Sequence, residues 1–209
     1  MIDLYTWTTP NGRKVSIMLE ELGAEYTAHA IDIGEGDQKT PEFLAISPNN
    51  KIPAIVDQEN GLTLFESGAI LVYLAEKYGK FMPTGATERA RSMEWLMWQM
   101  GGFGPMLGQT HAFHHFNKGR SEWGEDRFLT ESKRLYGVLN TRLDGRDFIV
   151  DEYSIVDMAC WPWVSRYEWQ SVDLADYPNV RDWYRRILDR PAVQAGYHVP
   201  KKVGDIPAG

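Results

Sequence analysis

The sequence predicts two structural classes in succession: an α/β domain over residues 1–80 and an all-helical domain over residues 89–209. Three observations carry this. The first eighty residues read strand, helix, strand, helix, strand, strand, helix. A Pro/Gly/Thr stretch at 79–88 then interrupts the pattern, with 81–88 as the linker. Beyond it, apolar residues recur only at helical spacing.

Ile2-Asp3-Leu4-Tyr5-Thr6 alternates as a first strand, and Thr8-Thr9-Pro10-Asn11-Gly12 is a turn cluster. A helix over 13–22 follows, because Val15, Met18, Leu19 and Leu22 fall on one face, and Gly23 ends it. Residues 26–33 form a second strand, 34–38 a mobile polar loop, and 41–46 a short helix. A polar loop from Ser47 runs into Ile52-Pro53-Ala54-Ile55-Val56, a strand opening at a proline. Asn60-Gly61 supplies the positive-φ positions of a tight hairpin, and a second strand passes through Leu64-Phe65 into a helix over 67–78. This order is that of a thioredoxin-like sandwich, with helices on both faces of the sheet.

In the second domain a helix over 90–100 carries Met93, Leu96, Met97 and Met100, and Gly101-Gly102-Phe103-Gly104-Pro105 must kink or break it. A helix over 125–143 turns Phe128, Leu135 and Leu139 inward. Ser154-Ile155-Val156-Asp157 reads as a capping-box variant before the apolar run Met158-Ala159-Cys160-Trp161. The last clear helix spans 181–189 and halts before Pro191, and the tail from His198 has little drive to fold alone. Eight tryptophans and ten tyrosines, most of them after residue 90, imply a large aromatic core, with a minority lining a pocket or a subunit seam.

Composition narrows the function. With 22 basic and 29 acidic residues the formal charge is −7, which disfavours nucleic acid or an anionic membrane as partner. No apolar run approaches a membrane span, and the chain enters its first strand without a leader pattern. The single cysteine, Cys160, excludes an internal disulfide and points to a reducing compartment, the cytoplasm.

The stretch over 47–70 looks built to hold a small peptide. Proline cannot donate to a ladder, so the backbone groups of Ile52 face outward, where an extended ligand could dock as an added strand. Glu66-Ser67 lies at a helix N-terminus, which favours a carboxylate. With the charge of Glu66 alongside, the pair suits a zwitterionic α-amino acid end. The alternative is an ordinary strand-turn-helix that Glu66-Ser67 merely caps.

Asn50-Lys51-Ile52-Pro53-Ala54 and Glu66-Ser67-Gly68-Ala69-Ile70 resemble the glutathione-binding half of the glutathione transferase superfamily. The resemblance implies that fold, a cis peptide at Pro53 and glutathione, reduced or oxidised, as the cosubstrate. A free thiol of pKa near 8.5 is only about 3% ionised at neutral pH, so such an enzyme must favour the thiolate. Donors between the first strand and helix are Tyr5, Thr8, Thr9 and Asn11. Tyr5, within the strand, is expected to pack; Thr9 and Asn11 either cap the helix, donate to sulfur, or do both.

Thr9-Pro10-Asn11-Gly12, residues 47–53 and 65–71, Trp98-Gln99, residues 104–109 and Cys160-Trp161-Pro162-Trp163 are similar to the nu class of that superfamily. The resemblance implies reduction of small disulfides with glutathione, two glutathione molecules or one glutathione disulfide per site, and a homodimer. It also implies that Thr9 and Asn11 contact the sulfur and that Gln38 and Ile52, beside Pro53, hold the tripeptide backbone. Glu66 and Ser67 would take the γ-glutamyl end, and Arg127 would steady a carboxylate from the neighbouring subunit. Lys51 would meet the glycyl carboxylate or remain a solvated loop lysine.

No Cys-x-x-Cys occurs, and Cys160 lies in an apolar helix, so disulfide exchange would have to use two ligand thiols. The alternatives are conjugation of glutathione to small electrophiles, and a non-catalytic binding or regulatory protein of the same fold. His111, His114 and His115 invite a metal, but no carboxylate or cysteine accompanies them at ligand spacing. A surface or pocket-rim role is expected, and no metal.

Overall fold

The computed structural model describes all 209 residues, Met1–Gly209. They form two compact units: residues 1–82 with 189–206, and residues 83–188 with 207–209.

The first unit is built from β1 (Ile2–Thr6), α1 (Pro10–Leu22), β2 (Tyr26–Ala30), α2 (Pro41–Ile46), β3 (Ala54–Asp57), β4 (Leu62–Phe65) and α3 (Ser67–Tyr78). Sheet order is β2-β1-β3-β4. β1 and β2 are parallel, with Ile2 opposite Tyr26, which obliges the chain to cross over through α1. β3 runs antiparallel to both neighbours, Ala54 pairing with Tyr5 and with Phe65. Ile2, Leu4, Met18, Leu19, Ile55, Ile70 and Leu74 are fully buried in this unit. The carboxylate of Asp57, at the end of β3, is buried and accepts from Tyr73 and Lys77 of α3, which fixes that helix to the sheet. Burial alone would raise the Asp57 pKa, but these donors hold it down to about 2.

Several expected boundaries move. α1 starts at Pro10 rather than Arg13, because proline sits at the first helical position, where no N–H is needed. β2 stops at Ala30 instead of reaching residue 33. The loop expected to be mobile holds a turn: Asp32 Oδ1 accepts from Gly34 N at 2.9 Å and Asp37 Oδ2 from Asp32 N at 2.9 Å.

In the second unit α4 (Ala86–Trp98) passes through a π-helical turn at Gln99–Phe103 into α5 (Gly104–Thr110), and a second π turn spans His111–Phe116. The kink or break expected at 101–105 takes the form of this π turn, and the chain stays helical through it. The wider π turn accommodates the chain there, and Pro105 falls in the first turn of α5, where its missing N–H is tolerated. α6 (Glu122–Arg142) begins three residues earlier than expected, with Ser121 as its cap. α7 (Ile155–Val164) is buried along its whole length and opens on a complete capping box of Ser154 and Asp157. Asp157 Oδ1 also accepts from Ile149 N at 3.0 Å and Trp183 Nε1 at 2.9 Å. The aromatic core is real: Trp161 and Trp183 are fully buried, and Trp161 stacks on Tyr184 of α8 (Pro178–Leu188) at 5.1 Å.

Residues 189–206, assigned to the second domain by the sequence reading, belong to the first unit. Pro191, taken as a stop, begins α9 (Pro191–Tyr197), again as a first-turn proline. Gly196 lies so close to α1 that a Cβ would sit 2.6 Å from Ile17 Cα. Ser16 Oγ donates to Gly196 O at 2.7 Å and Arg13 Nε to Tyr197 O at 3.0 Å. The tail is also anchored, since Tyr184 Oη donates to Pro207 O at 2.7 Å. No helix is long and apolar enough to cross a membrane.

Candidate functional site

The mouth of α1 is shaped by Gly12. A Cβ there would lie 2.2 Å from Trp7 O and 2.5 Å from Thr6 Oγ1, so only glycine lets the loop after β1 fold over the helix start. Thr9 is the N-cap, its Oγ1 accepting from Gly12 N at 3.2 Å. That contact uses an oxygen lone pair and leaves the hydroxyl hydrogen available to another acceptor. Asn11 is the second helical residue and half-buried. No acid occupies the first turn, so the partial positive charge of the helix end is undiminished. Tyr5 packs as expected, stacked on His29 at 4.6 Å; Thr8 is half-buried in the bend before the cap.

The Ile52–Pro53 peptide is cis. The first ladder pair of β3 is at Ala54, which leaves the backbone groups of Ile52 outside the sheet. Ser47 Oγ donates to Lys51 O at 2.8 Å and holds the loop in shape, while the side chain of Lys51 is exposed. Gln38 sits on a single 3₁₀ turn, Asp37–Lys39, with Nε2 donating to Ile33 O at 3.4 Å. Its Oε1 is buried without a protein partner, a polar atom suited to a ligand donor.

Glu66 stands immediately before α3 with φ 71° and ψ 111°, a strained conformation for a non-glycine residue. Its side chain makes no capping bond; Asn49 Nδ2 donates to Glu66 Oε1 at 3.4 Å instead. The simple capping reading therefore fails for Glu66, and the first N–H groups of α3 point out beside an exposed carboxylate. Ser67 is 3% exposed, and its Oγ accepts from Lys14 Nζ at 3.2 Å. The Lys14–Ser67 and Asn49–Glu66 bonds draw α1, the 47–53 loop and the start of α3 together. Sequence reasoning missed Lys14, whose one signal is its position three residues after Asn11.

Arg127 belongs to the second unit. It is exposed on α6, 5.5 Å over the ring of Trp123, in a cleft that also includes Met106 and Glu131. The three histidines there have separate partners. His111 is buried and lies 3.0 Å from Gln170 Nε2; His114 meets Ser171 Oγ at 2.7 Å; His115 stacks on Trp169 at 4.4 Å. Burial, with Arg166 and His115 nearby, pushes the His111 pKa down to about 4. No group of three or more His, Cys, Asp or Glu side chains is placed to hold a metal ion. Cys160 is fully buried in α7.

This arrangement can hold an extended peptide along Ile52, a zwitterionic end at Glu66–Ser67, and a sulfur at the mouth of α1. Residues 1–76 match the family model for the glutathione S-transferase N-terminal domain, and 106–191 that for its C-terminal domain. The chain belongs to the glutathione transferase superfamily. It is 52% identical over 198 residues to the disulfide-bond oxidoreductase YfcG of Escherichia coli strain K12, covering 92% of each chain. A glutathione transferase from Burkholderia graminis, solved with two glutathione molecules per subunit, superposes with a TM-score of 0.91 at 46% identity. That match covers 97% of this chain and 89% of the other. A Pseudomonas putida transferase with one glutathione disulfide per subunit gives 0.91 at 47% identity, covering 95% and 91%.

Proposed function

We propose that this transferase is a glutathione-dependent disulfide-bond oxidoreductase. The observation that carries the reading is the absence of any Cys-x-x-Cys in a thioredoxin-like unit that offers a peptide-binding edge and an uncapped α3 beside Glu66. The reacting sulfur is then the ligand's. The E. coli relative's name and the ligands of the two solved relatives support the same reading.

Ile52 pairs with the tripeptide backbone as an added strand, cis-Pro53 shapes that edge, and Gln38 Oε1 accepts from it. Glu66 takes the γ-glutamyl ammonium, and Ser67 with the α3 N-terminus takes the α-carboxylate. Lys51 answers the glycyl carboxylate, and Arg127 steadies a carboxylate of a site in a second subunit of a homodimer. At the sulfur, Thr9 and Asn11 donate hydrogen bonds and the α1 N-terminus adds positive potential, which together favour thiolate over thiol.

The thiolate attacks one sulfur of the substrate disulfide. A glutathione–substrate disulfide forms, and the first substrate thiolate leaves and takes up a proton. A second glutathione thiolate attacks the glutathione sulfur of that mixed disulfide and expels the second substrate thiolate. The balance is two glutathione thiols oxidised to one glutathione disulfide and one substrate disulfide reduced to two thiols. Such chemistry suits the reducing cytoplasm, to which we assign the protein.

Initial rates with 2-hydroxyethyl disulfide and with an aryl halide, each with glutathione, test the proposal. Faster turnover of the disulfide is expected. Conjugation of the halide with no disulfide reduction would make the protein a conjugating transferase, and glutathione binding without either activity a binding protein.

A further inference from the structure

Lys14 is 1% exposed, with Nζ 3.2 Å from the oxygen of Ser67. An ammonium carries donors only, so Ser67 is the acceptor in that contact and its own hydrogen goes to a different acceptor. Ser67 is also the first residue of α3, whose cap residue contributes no side-chain bond. Lys14 therefore does two things at once to the same helix end. It fixes the polarity of the serine, and it places a nitrogen donor in a poorly solvated position beside the helix N-terminus, where an anion gains most. Asn11 and Lys14, three residues apart, share one face of α1. On the glutathione reading, that helix face would serve the sulfur end of the ligand with one residue and the γ-glutamyl end with the other.

We propose that Lys14 is a positioning residue for the α-carboxylate of the γ-glutamyl group, acting through Ser67 and setting the preference for glutathione over peptides that lack that carboxylate. The inference rests on the glutathione reading given above. Lys14→Met removes the donor outright; a purely structural lysine would, on removal, weaken every ligand alike.

The test is calorimetric titration of wild type, Lys14→Met and Lys14→Gln with glutathione and with γ-aminobutyryl-cysteinyl-glycine, which lacks only the α-carboxylate. Lys14→Met is expected to weaken glutathione about tenfold while leaving the analogue within twofold of wild type. Should Lys14→Met not fold, Lys14→Gln, whose amide still donates, is expected to weaken glutathione about threefold and again spare the analogue. Equal losses for both ligands, or no loss for either, would overturn this inference while leaving the glutathione reading intact. Wild type that binds neither ligand would overturn both.

Discussion

Thr9 Oγ1 accepts the backbone N–H of Gly12 at 3.2 Å, so one side chain caps α1 while keeping a hydroxyl hydrogen to donate. Thr9→Ala is expected to lose about 1 kcal/mol of stability through the missing cap, along with part of the disulfide turnover. Asn11→Ala should lower turnover more than Thr9→Ala while costing less stability, because Asn11 is not the cap. Thr9→Ser keeps both functions. Urea unfolding and disulfide-reductase rates on the three variants separate the two duties.

Glu66 holds its exposed carboxylate on a strained backbone. Relief of such strain is worth about 1–3 kcal/mol, against roughly 1 kcal/mol for the added freedom of an unfolded glycine. Glu66→Gly should therefore fold as stably as wild type or more so, yet bind glutathione at least tenfold more weakly. Glu66→Gln should share the binding loss without any gain in stability. Thermal unfolding paired with calorimetric titration reads both effects.

Gly12 tolerates no side chain because the Trp7 carbonyl occupies the Cβ position. Gly12→Ala must push the 7–9 loop off the helix start, at a cost of about 1–3 kcal/mol, and displace Thr9 from its cap. Turnover is expected to fall with stability, whereas Gly137→Ala, on an open face of α6, should leave turnover unchanged and raise stability by about 0.5–1 kcal/mol.

His111 is kept neutral by burial, with a pKa of about 4 in the folded chain against 6.5 ordinarily. Between those values the unfolded chain binds the extra proton, so stability is full above pH 6.5 and declines as pH falls toward 4. The decline from this residue is of order 3 kcal/mol at most. His111→Asn should flatten that part of the profile, measured as urea unfolding free energy at pH 7 and pH 4.5 in both proteins.

How much of this was readable beforehand depended on what each residue signals locally. The bounds of α3 are legible because Ser67 and Gly79 flank one continuous apolar run. Prolines misled: Pro10 and Pro191 read as turn and stop, yet each opens a helix from its first turn. The Gly101–Pro105 segment read as a kink or break; its π form was not legible because π turns leave no pattern in sequence. Within the candidate site, Ile52, Glu66 and Ser67 could be named from helix-end and strand-edge chemistry, and Thr9 and Asn11 once the resemblance implied a thiol to stabilise. Lys14 could not, since a lysine on an amphipathic helix reads as solvated and only the fold buries it. Arg127 was placed by resemblance, and its exposed position on α6 gives no local sign of a ligand.

The claim that the reacting sulfurs come from glutathione alone is tested most directly by Cys160→Ala, the variant without any protein thiol. Turnover of a small disulfide within twofold of wild type is the result expected, with the intact mass of wild type unchanged when quenched during turnover. A folded Cys160→Ala protein without activity, or a glutathione adduct on Cys160 in the quenched wild type, would contradict it.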